Sequence, residues 1–398
     1  MGIIVGGKGA LGMKILRVIA SVHPAQGGPV AGLRASALLH RAMGHETEIV
    51  SLDPPNGAHV TAFPFMVHAL GPVPRRYGYT PRLGQWFSAH ADRFDVAVVH
   101  GLWNHAVVGG GHALIRAKVP YVVFTHGMMD PWFRGAYPVK HVAKQLFWWG
   151  LQGRVLAGAG RVLFTSQEEM RLAGGAFRGH RHRREVIAYG AAAPGPSDLA
   201  SGVAAMRAAC PALGDAPYLL FLGRIHAKKG ADILIDAFCA IAAARPDLHL
   251  VIAGPDETGL AAGLAARATA HGFGARAHFP GLLTGSAKWG AFLGAEAFVL
   301  PSHQENFGIA VAEALACGRP VIVSDKVNIW REVEAAGAGI VAPDTVAGFR
   351  SALARWAGCG PEQRAAMATA TQACYQRHFR PETAAAALAR LLEEVAHG

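Results

Sequence analysis

The chain has 398 residues, of which 52% are hydrophobic and 16% are charged, and this composition excludes a disordered or fibrous protein. Its length alone predicts about two or three domains. The formal net charge of +11 arises entirely within residues 1–200, which contain 21 Lys and Arg against 10 Asp and Glu, whereas residues 201–398 contain 17 of each. We therefore expect the first half to face an anionic partner.

The compartment is predicted from what the sequence lacks. The most apolar stretch, residues 146–164, is interrupted by Arg154 and Arg161, and the N-terminus has no signal-peptide pattern. The five cysteines are widely spaced and match no disulfide framework or zinc-ligand pattern. The sequence therefore predicts a cytoplasmic protein without a metal site.

Short β-branched runs alternate with Ala- and Leu-rich segments along most of the chain. This alternation predicts buried parallel strands connected by helices. The predicted strands are Lys14–Ser21, Glu48–Ser51, Val96–His100, Tyr121–Thr125, Arg161–Thr165, Glu185–Ala188, Tyr218–Leu222, Leu248–Ala253, Ala277–Phe279, Ala297–Leu300, Val321–Ser324 and Gly339–Val341. The fold class is α/β, with two Rossmann-like, doubly wound parallel sheets.

The domain boundaries follow from composition. Residues 1–12 are predicted to be an N-terminal extension, because Met13 resembles a natural start. Their G-x-G-x-x-G pattern precedes a strand rather than the helix that dinucleotide binding needs, so it does not indicate a dinucleotide site. The Gly-, Pro-, Ala- and Ser-rich residues 189–217 are interpreted as a linker. We expect an N-terminal domain over 13–195 and a C-terminal domain over 196–377.

A glycine pair follows the first predicted strand. Gly27 and Gly28 stand where the chain turns into a helix, so their backbone N–H groups are able to approach a phosphate. An ordinary tight turn has the same pattern, and the pair alone does not decide between the two interpretations.

Two cations stand five residues apart after the strand Tyr218–Leu222. At the carboxyl end of a parallel strand, the guanidinium of Arg224 would bind a diphosphate through two parallel hydrogen bonds, and the ammonium group of Lys229 would add a compact positive charge. The alternative is a solvated basic turn, and phosphate binding is favoured by the motif that follows.

Two glutamates eight residues apart follow the strand Ala297–Leu300. Glu305 is predicted to lie in a loop and Glu313 in a helix that begins near Phe307. Eight helical residues span about 12 Å, a separation that fits the two ends of a sugar nucleotide. Between them, the helix N-terminus would face the phosphates. The alternative is a capping loop with a surface acid.

In order and spacing, these motifs resemble the retaining family-4 glycosyltransferases (glycosyl transferases group 1) of the GT-B fold. The resemblance implies two domains facing a central cleft, with a C-terminal helix over about 378–398 returning to the N-terminal acceptor domain. It implies a nucleotide-sugar donor whose diphosphate is held by Arg224 and Lys229, and no metal. It further implies catalytic or donor-binding roles for Glu305, Asn306, Phe307, Gly308, Ile309 and Glu313, with help from Gly27 and Gly28. The chain departs from the family at 325–332, where a glycine pair is absent.

His126 follows the strand Tyr121–Thr125, a place where such enzymes often set a histidine near the donor sugar; a structural histidine fits equally well. Candidates for the acceptor pocket are Trp103, Asn104, Asp130 and Trp132.

The segment Val139–Leu156 is amphipathic, basic and contains tryptophan, a pattern of helices that lie on anionic membranes, although a helix packed on the sheet fits too. With the charge asymmetry, it predicts a lipid-linked glycan acceptor, surface-glycan biosynthesis and peripheral attachment to the inner face of the cell membrane. A sugar-nucleotide epimerase or a non-catalytic binding protein remain alternatives, and no motif supports nucleic-acid binding.

Overall fold

The computed structural model describes residues 12–73 and 77–398, which divide into two α/β units. The predicted extension, Gly12 apart, lies outside the described residues. The chain passes from the first unit to the second at 188/189 and returns at 380/381; residues 166–168 also belong to the second unit.

The first unit has a sheet of seven parallel strands in the order β3-β2-β1-β4-β5-β6-β7. The strands are β1 Lys14–Val18, β2 Glu46–Ser51, β3 Met66–Ala69, β4 Val96–His100, β5 Tyr121–Phe124, β6 Arg161–Phe164 and β7 Arg184–Val186. The edge strand β3 was not predicted, because Met66 is exposed and the other three residues, which include His68, are only half-buried.

Helices cover both faces of this sheet, and their bounds are α1 Gly28–Ala42, α2 Ala58–Thr61, α3 Pro81–His90, α4 His105–Ala117, α5 Trp132–Ala136, α6 Pro138–Phe147, α7 Gly153–Ala157, α8 Gln167–Leu172 and α17 Pro381–His397. A π-helical turn, Trp148–Gln152, connects α6 to α7, and single 3₁₀ turns lie at Pro24–Gln26 and Ala91–Arg93. The C-terminal helix α17 packs on α1, where His40 Nε2 lies 3.0 Å from the carbonyl oxygen of Ala385.

The second unit has a sheet of six parallel strands in the order β10-β9-β8-β11-β12-β13. The strands are β8 Tyr218–Leu222, β9 His249–Ala253, β10 Ala277–Gly281, β11 Ala297–Leu300, β12 Val321–Ser324 and β13 Gly339–Ala342. Its helices are α9 Pro196–Ala209, α10 Ala231–Ala242, α11 Leu260–Ala270, α12 Gly285–Gly294, α13 Ile309–Ala316, α14 Trp330–Ala336, α15 Val346–Gly358 and α16 Pro361–His378, with 3₁₀ turns at Pro211–Leu213, Ala227–Lys229 and Gly274–Arg276.

The interpretation of residues 189–217 as a linker was wrong in part, because they contain the 14-residue helix α9. Pro196 is its first residue, and the Asp198 carboxylate accepts a 3.0 Å hydrogen bond from the amide of Gly195. Proline and alanine, which suggested a linker, are here the start and the body of a helix.

Each sheet is buried on both faces, as a parallel sheet between helices must be. Because all strands in a sheet are parallel, their carboxyl ends share one edge, where ligands of α/β proteins bind. The predicted site residues follow β1, β4, β5, β8 and β11 at these edges.

Candidate functional site

The turn after β8 has a conformation that needs glycine. Gly230 has φ +69°, and a Cβ there would lie 2.2 Å from the carbonyl oxygen of Pro301. The turn therefore packs directly against the loop that follows β11.

Hydrogen bonds join these two loops. The Lys228 carbonyl oxygen accepts from the His303 amide at 2.9 Å and from the Ser302 hydroxyl at 3.1 Å. The neighbouring side chain, Lys229, is thereby brought to the loop that carries Glu305.

Lys229 and Glu305 form an ion pair in which each side chain is less than one-fifth exposed. Burial, with Lys228 and Arg224 nearby, lowers the pKa of Lys229 to about 7. The carboxylate of Glu305 is the anionic partner of this ammonium group. The predicted catalytic glutamate and phosphate-binding lysine thus lie together.

Arg224 completes the cluster from the solvent side. Its side chain is exposed, and within residues 12–73 and 77–398 it forms no ion pair with a carboxylate. A guanidinium placed in this way is available to an anionic ligand.

The backbone of Glu305 is also held in place. Its amide donates to Lys326 O and its carbonyl accepts from the Asn328 amide, both at 3.0 Å, which forms a parallel bridge beside Val327. The segment that departs from the family pattern therefore supports the glutamate directly.

Helix α13 begins at Ile309, two residues after the predicted start, because Gly308 has φ +78° and is the N-cap. Gly308 provides no side-chain cap, so the first amides of α13 are open to a ligand. Phe307 is buried against Tyr189 and Phe379, with ring centroids 5.8 and 5.7 Å away. The half-buried Asn306 lies in the same loop, and Ile309 packs on the core.

Glu313 has a partner that sequence reasoning missed. Its Oε1 lies 2.6 Å from Nζ of Lys288, a residue of α12. The same Nζ lies 4.9 Å from the ring centroid of Trp289. Burial raises the pKa of Glu313, and Lys288 opposes the shift. A lone lysine in the Gly- and Ala-rich helix α12 was the only signal in the sequence.

Of the predicted donor-binding residues, Gly27 and Gly28 belong to the first unit. Gly27 is the N-cap of α1 and has φ +70°, a backbone conformation that glycine adopts without strain. Gly28 is the first residue of α1.

His126 lies in the first unit, directly beyond β5, with a left-handed backbone at φ +51°. Its Nε2 is 3.2 Å from Nδ1 of His100, and the two rings stack at 5.4 Å. Burial lowers the pKa of His126 to about 3, so its imidazole is neutral near pH 7.

Glu169, which belongs to none of the sequence motifs, fixes the turn around His126. Its Oε1 accepts from the Thr125 hydroxyl at 2.8 Å and the Gly127 amide at 2.7 Å, and its Oε2 accepts from the amide and hydroxyl of Thr165 at 2.6 and 2.7 Å. This buried carboxylate ties the end of β5 to the end of β6. In a single sequence, nothing distinguishes it from Glu168 beside it.

The four predicted acceptor residues have different surroundings. Asn104 caps α4, where its Oδ1 accepts from the Val107 amide at 3.1 Å, and it lines a cavity of about 270 Å³. Asp130 lines a larger cavity of about 750 Å³. Trp103 does not line this cavity, but its ring centroid lies 4.6 Å from Nζ of Lys144, which does. Trp132 is 37% exposed and outside both cavity walls.

Across residues 12–73 and 77–398, no three His, Cys, Asp or Glu side chains are clustered closely enough to hold a metal ion. None of the helices in this part of the chain is both long and apolar enough to cross a membrane.

The chain has two Rossmann-like parallel sheets, one of seven and one of six strands, and this architecture and its structural neighbours define the GT-B class of fold. Residues 27–190 match the family model of the glycosyl transferase 4-like domain, and residues 205–373 match that of glycosyl transferases group 1. The chain therefore belongs to the group 1 glycosyltransferases, as the motifs predicted.

Curated relatives match part of the chain. D-inositol 3-phosphate glycosyltransferase of Thermomonospora curvata is 34% identical over 184 residues, 43% of this chain and 42% of that protein. The enzyme of the same name from Jonesia denitrificans is 34% identical over 143 residues, 33% of each chain. The match thus spans about a third to two-fifths of the length of these relatives.

Among solved structures, Anabaena HepE in complex with UDP and glucose has a TM-score of 0.74 at 21% identity, covering 96% of this chain and 100% of that chain. This likeness confirms the fold.

Proposed function

We propose that the protein is a retaining glycosyltransferase that moves a hexose from a nucleoside-diphosphate sugar to a hydroxyl of a lipid-linked glycan. Its pathway would be the biosynthesis of an exopolysaccharide or another surface glycan. The observation that carries the proposal is the Lys229–Glu305 pair, with Arg224 beside it, in the second unit.

The comparisons support the donor class without identifying the donor. HepE is described in complex with UDP and glucose, and the matched relatives have glycosyltransferase names. UDP is accordingly the first nucleotide to test.

In the proposed site, Arg224 and Lys229 hold the diphosphate. The leaving diphosphate gains negative charge in the transition state, and preorganised cations stabilise it without a metal. An incoming phosphate would share the Lys229 ammonium with Glu305. The Glu305 carboxylate would then be able to accept a hydrogen bond from a hexose hydroxyl. Gly27 and Gly28 keep the role that the resemblance implies, backbone contact with a phosphate.

The remaining donor contacts are proposed to come from the loop before α13 and from α13 itself. Asn306, Phe307 and Gly308 shape the loop, Ile309 packs near the nucleoside, and Glu313 accepts from the ribose hydroxyls. Lys288 would hold the Glu313 carboxylate in position. The neutral imidazole of His126 would hydrogen-bond a hexose hydroxyl.

Retention is proposed to follow a front-face path. The bond from the acceptor oxygen to the anomeric carbon forms on the face from which the bond to the diphosphate oxygen breaks, and the acceptor proton passes to that diphosphate oxygen. Trapping a glycosylated carboxylate on the enzyme would contradict this path.

The experiment incubates the purified chain with UDP-, GDP- and ADP-hexoses and prenyl-diphosphate-linked monosaccharides. NMR then follows the anomeric proton. We expect transfer with the donor's anomeric configuration. An isomeric sugar nucleotide formed without acceptor would identify an epimerase, and nucleotide binding without turnover would identify a binding protein.

The lipid-linked acceptor is supported by one surface of the first unit. Helix α6 exposes Val139, Val142 and Leu146 to solvent by 83%, 63% and 62%, and Trp149 continues this stripe. The Trp149 indole donates a 2.9 Å hydrogen bond to the Arg178 carbonyl, which places the stripe beside the exposed arginines at 178, 181, 183 and 184. An apolar stripe beside basic residues fits an anionic bilayer.

Membrane attachment is tested by co-sedimentation with vesicles of phosphatidylglycerol and phosphatidylcholine. Binding is expected to weaken as salt rises, because the Debye length falls to about 8 Å at physiological ionic strength. Val139→Ser/Leu146→Ser should reduce binding, whereas the matched control Leu199→Ser/Leu260→Ser, on exposed leucines of the second unit, should not. Salt-insensitive binding, or none, would contradict the attachment.

A further inference from the structure

The larger cavity of the first unit, about 750 Å³, has a wall that is unusually cationic. It is enclosed by α5, α6 and the segment after α8. Its charged lining consists of Arg134, Lys140, Lys144 and Arg171, opposed by the single carboxylate of Asp130. The size is that of a small-molecule site.

Helix α6 turns a polar face towards the cavity and apolar residues towards solvent, which is the reverse of a normal surface helix. The residues it turns towards the cavity are Tyr137 at its N-cap, Lys140, His141 and Lys144, which share one face at spacings of three and four. Its apolar residues Val139, Val142 and Leu146 face solvent instead. Packing alone does not explain this, because burial normally selects the apolar face.

Three cations of the wall, Arg134, Lys140 and Lys144, have no carboxylate partner among the described residues. One oxygen of Asp130 already accepts the Trp132 amide at 2.8 Å.

Aromatic rings hold the two lysines in place. Lys140 Nζ lies 5.6 Å from the ring centroid of Tyr137, and Lys144 Nζ lies 4.6 and 5.6 Å from those of Trp103 and Phe133. Burial and the proximity of Lys140 lower the pKa of Lys144. An anion in the cavity would relieve the cost of holding these ammonium groups together.

The rest of the wall is apolar. Met128, Met129, Phe133 and Phe177 line the same space, so a ligand that fills it combines an anionic group with an apolar or ring-stacking part.

We infer that this cavity binds the acceptor through a phosphate or diphosphate, with Lys140 and Lys144 as its principal ligands and Arg134 as a third cation. This assignment rests on the proposed function and specifies the acceptor as a phosphorylated compound. The outward apolar stripe of α6 would then lie in a bilayer while the opposite face of the helix holds the phosphate of a lipid.

The test uses the full-length chain saturated with the nucleoside diphosphate that binds best, so that the donor site is filled. Calorimetry measures the affinity for farnesyl phosphate, farnesol and inorganic phosphate, with the farnesyl compounds in a neutral detergent. We expect farnesyl phosphate to bind at least tenfold more tightly than farnesol, because each charge-assisted hydrogen bond contributes measurably to affinity.

Lys140→Ala/Lys144→Ala should weaken farnesyl phosphate binding by at least tenfold, and Lys140→Arg/Lys144→Arg should restore most of it. The matched control Arg34→Ala/Arg116→Ala removes two exposed cations from the same unit and should bind as the wild type does. A melting temperature for each variant separates lost binding from lost folding.

Tight binding of farnesyl phosphate without comparable binding of inorganic phosphate supports a lipid-linked acceptor. Equally tight binding of inorganic phosphate supports a soluble phosphorylated acceptor. Equal affinity for farnesol, or wild-type affinity in Lys140→Ala/Lys144→Ala, would overturn the assignment. If no nucleotide binds but farnesyl phosphate still does, the proposed function fails and the phosphate site remains.

Discussion

The two units share an architecture but use charge in different ways. In the second unit, the lysines of the candidate donor site are paired with acids, Lys229 with Glu305 and Lys288 with Glu313. In the first unit, Lys140 and Lys144 approach aromatic rings and each other. Paired charges are held in one arrangement before a ligand arrives, whereas cations on rings can move to meet one. The difference fits a fixed nucleotide site and a more adaptable acceptor site.

The largest expected effect comes from removing the cations of the second unit. Arg224→Ala/Lys229→Ala should weaken nucleoside-diphosphate binding by more than about 100-fold, because charge-assisted hydrogen bonds contribute about 1.5–3 kcal/mol each. Calorimetry gives the two dissociation constants. Arg355→Ala, which removes an exposed arginine of the same unit, is the control and should bind normally. Farnesyl phosphate affinity in the first unit should not change, and a parallel loss there would contradict the division of roles between the units.

Next in size is the loss of stability on changing Glu169. In Glu169→Gln, an amide N–H₂ group replaces one of two oxygens that each accept two hydrogen bonds, so at least one buried donor loses its partner. We expect a cost of about 2–4 kcal/mol and a fall in melting temperature of roughly 5–10 °C. Differential scanning calorimetry measures it. Glu185→Gln, at a more exposed ion pair with Arg161, should cost less than about 1 kcal/mol; equal losses would show that Glu169 does not organise the turn.

The pH dependence of the first unit's stability tests the neutral state of His126. Its folded pKa is about 3, below the usual value near 6.5, so between these values the unfolded chain binds more protons. The free energy of unfolding must therefore fall as pH falls from 7, by about 2 kcal/mol at pH 5 from this group.

Urea denaturation at pH 7 and pH 5 measures the effect. His126→Asn, which tolerates the left-handed backbone and does not titrate, should reduce the difference in unfolding free energy between the two pH values by about 2 kcal/mol. His40, His100 and His182 should keep their contributions to that difference. An unchanged difference would mean that His126 is not held neutral.

The smallest expected effect concerns the role of Glu313. Glu313→Gln keeps the shape of the side chain and removes its charge, so binding of the nucleoside diphosphate should weaken about tenfold through the ribose. Inorganic pyrophosphate, which has no ribose, should bind as before. Equal losses for both ligands would place Glu313 at the phosphates instead.

Much of this organisation is predictable from the sequence, because its signals are local. Buried parallel strands have continuous apolar runs, and Val96–His100 and Tyr218–Leu222 were predicted with their observed bounds. The glycine turns and the order of Arg224, Lys229, Glu305 and Glu313 are also local features of the chain, and they are sufficient to indicate the family.

What the sequence did not reveal depends on contacts between distant segments. Lys288 and Glu169 contact predicted site residues or their loops only because of how helices pack on the sheets, and nothing in their local sequence indicates this. The amphipathic pattern of α6 was recognised, but only the structure shows that its cationic face lines a cavity. Periodicity identifies two faces of a helix without saying which one is buried.

Whether the second unit is built for a nucleoside diphosphate is tested most directly by calorimetric titration of the wild-type chain with UDP, GDP and ADP and with their monophosphates. We predict that one diphosphate binds clearly and that its monophosphate binds at least tenfold more weakly, because Arg224 and Lys229 would each lose part of their anionic partner. Binding of no diphosphate by the folded protein, or equal affinity for mono- and diphosphate, would contradict this function of the second unit.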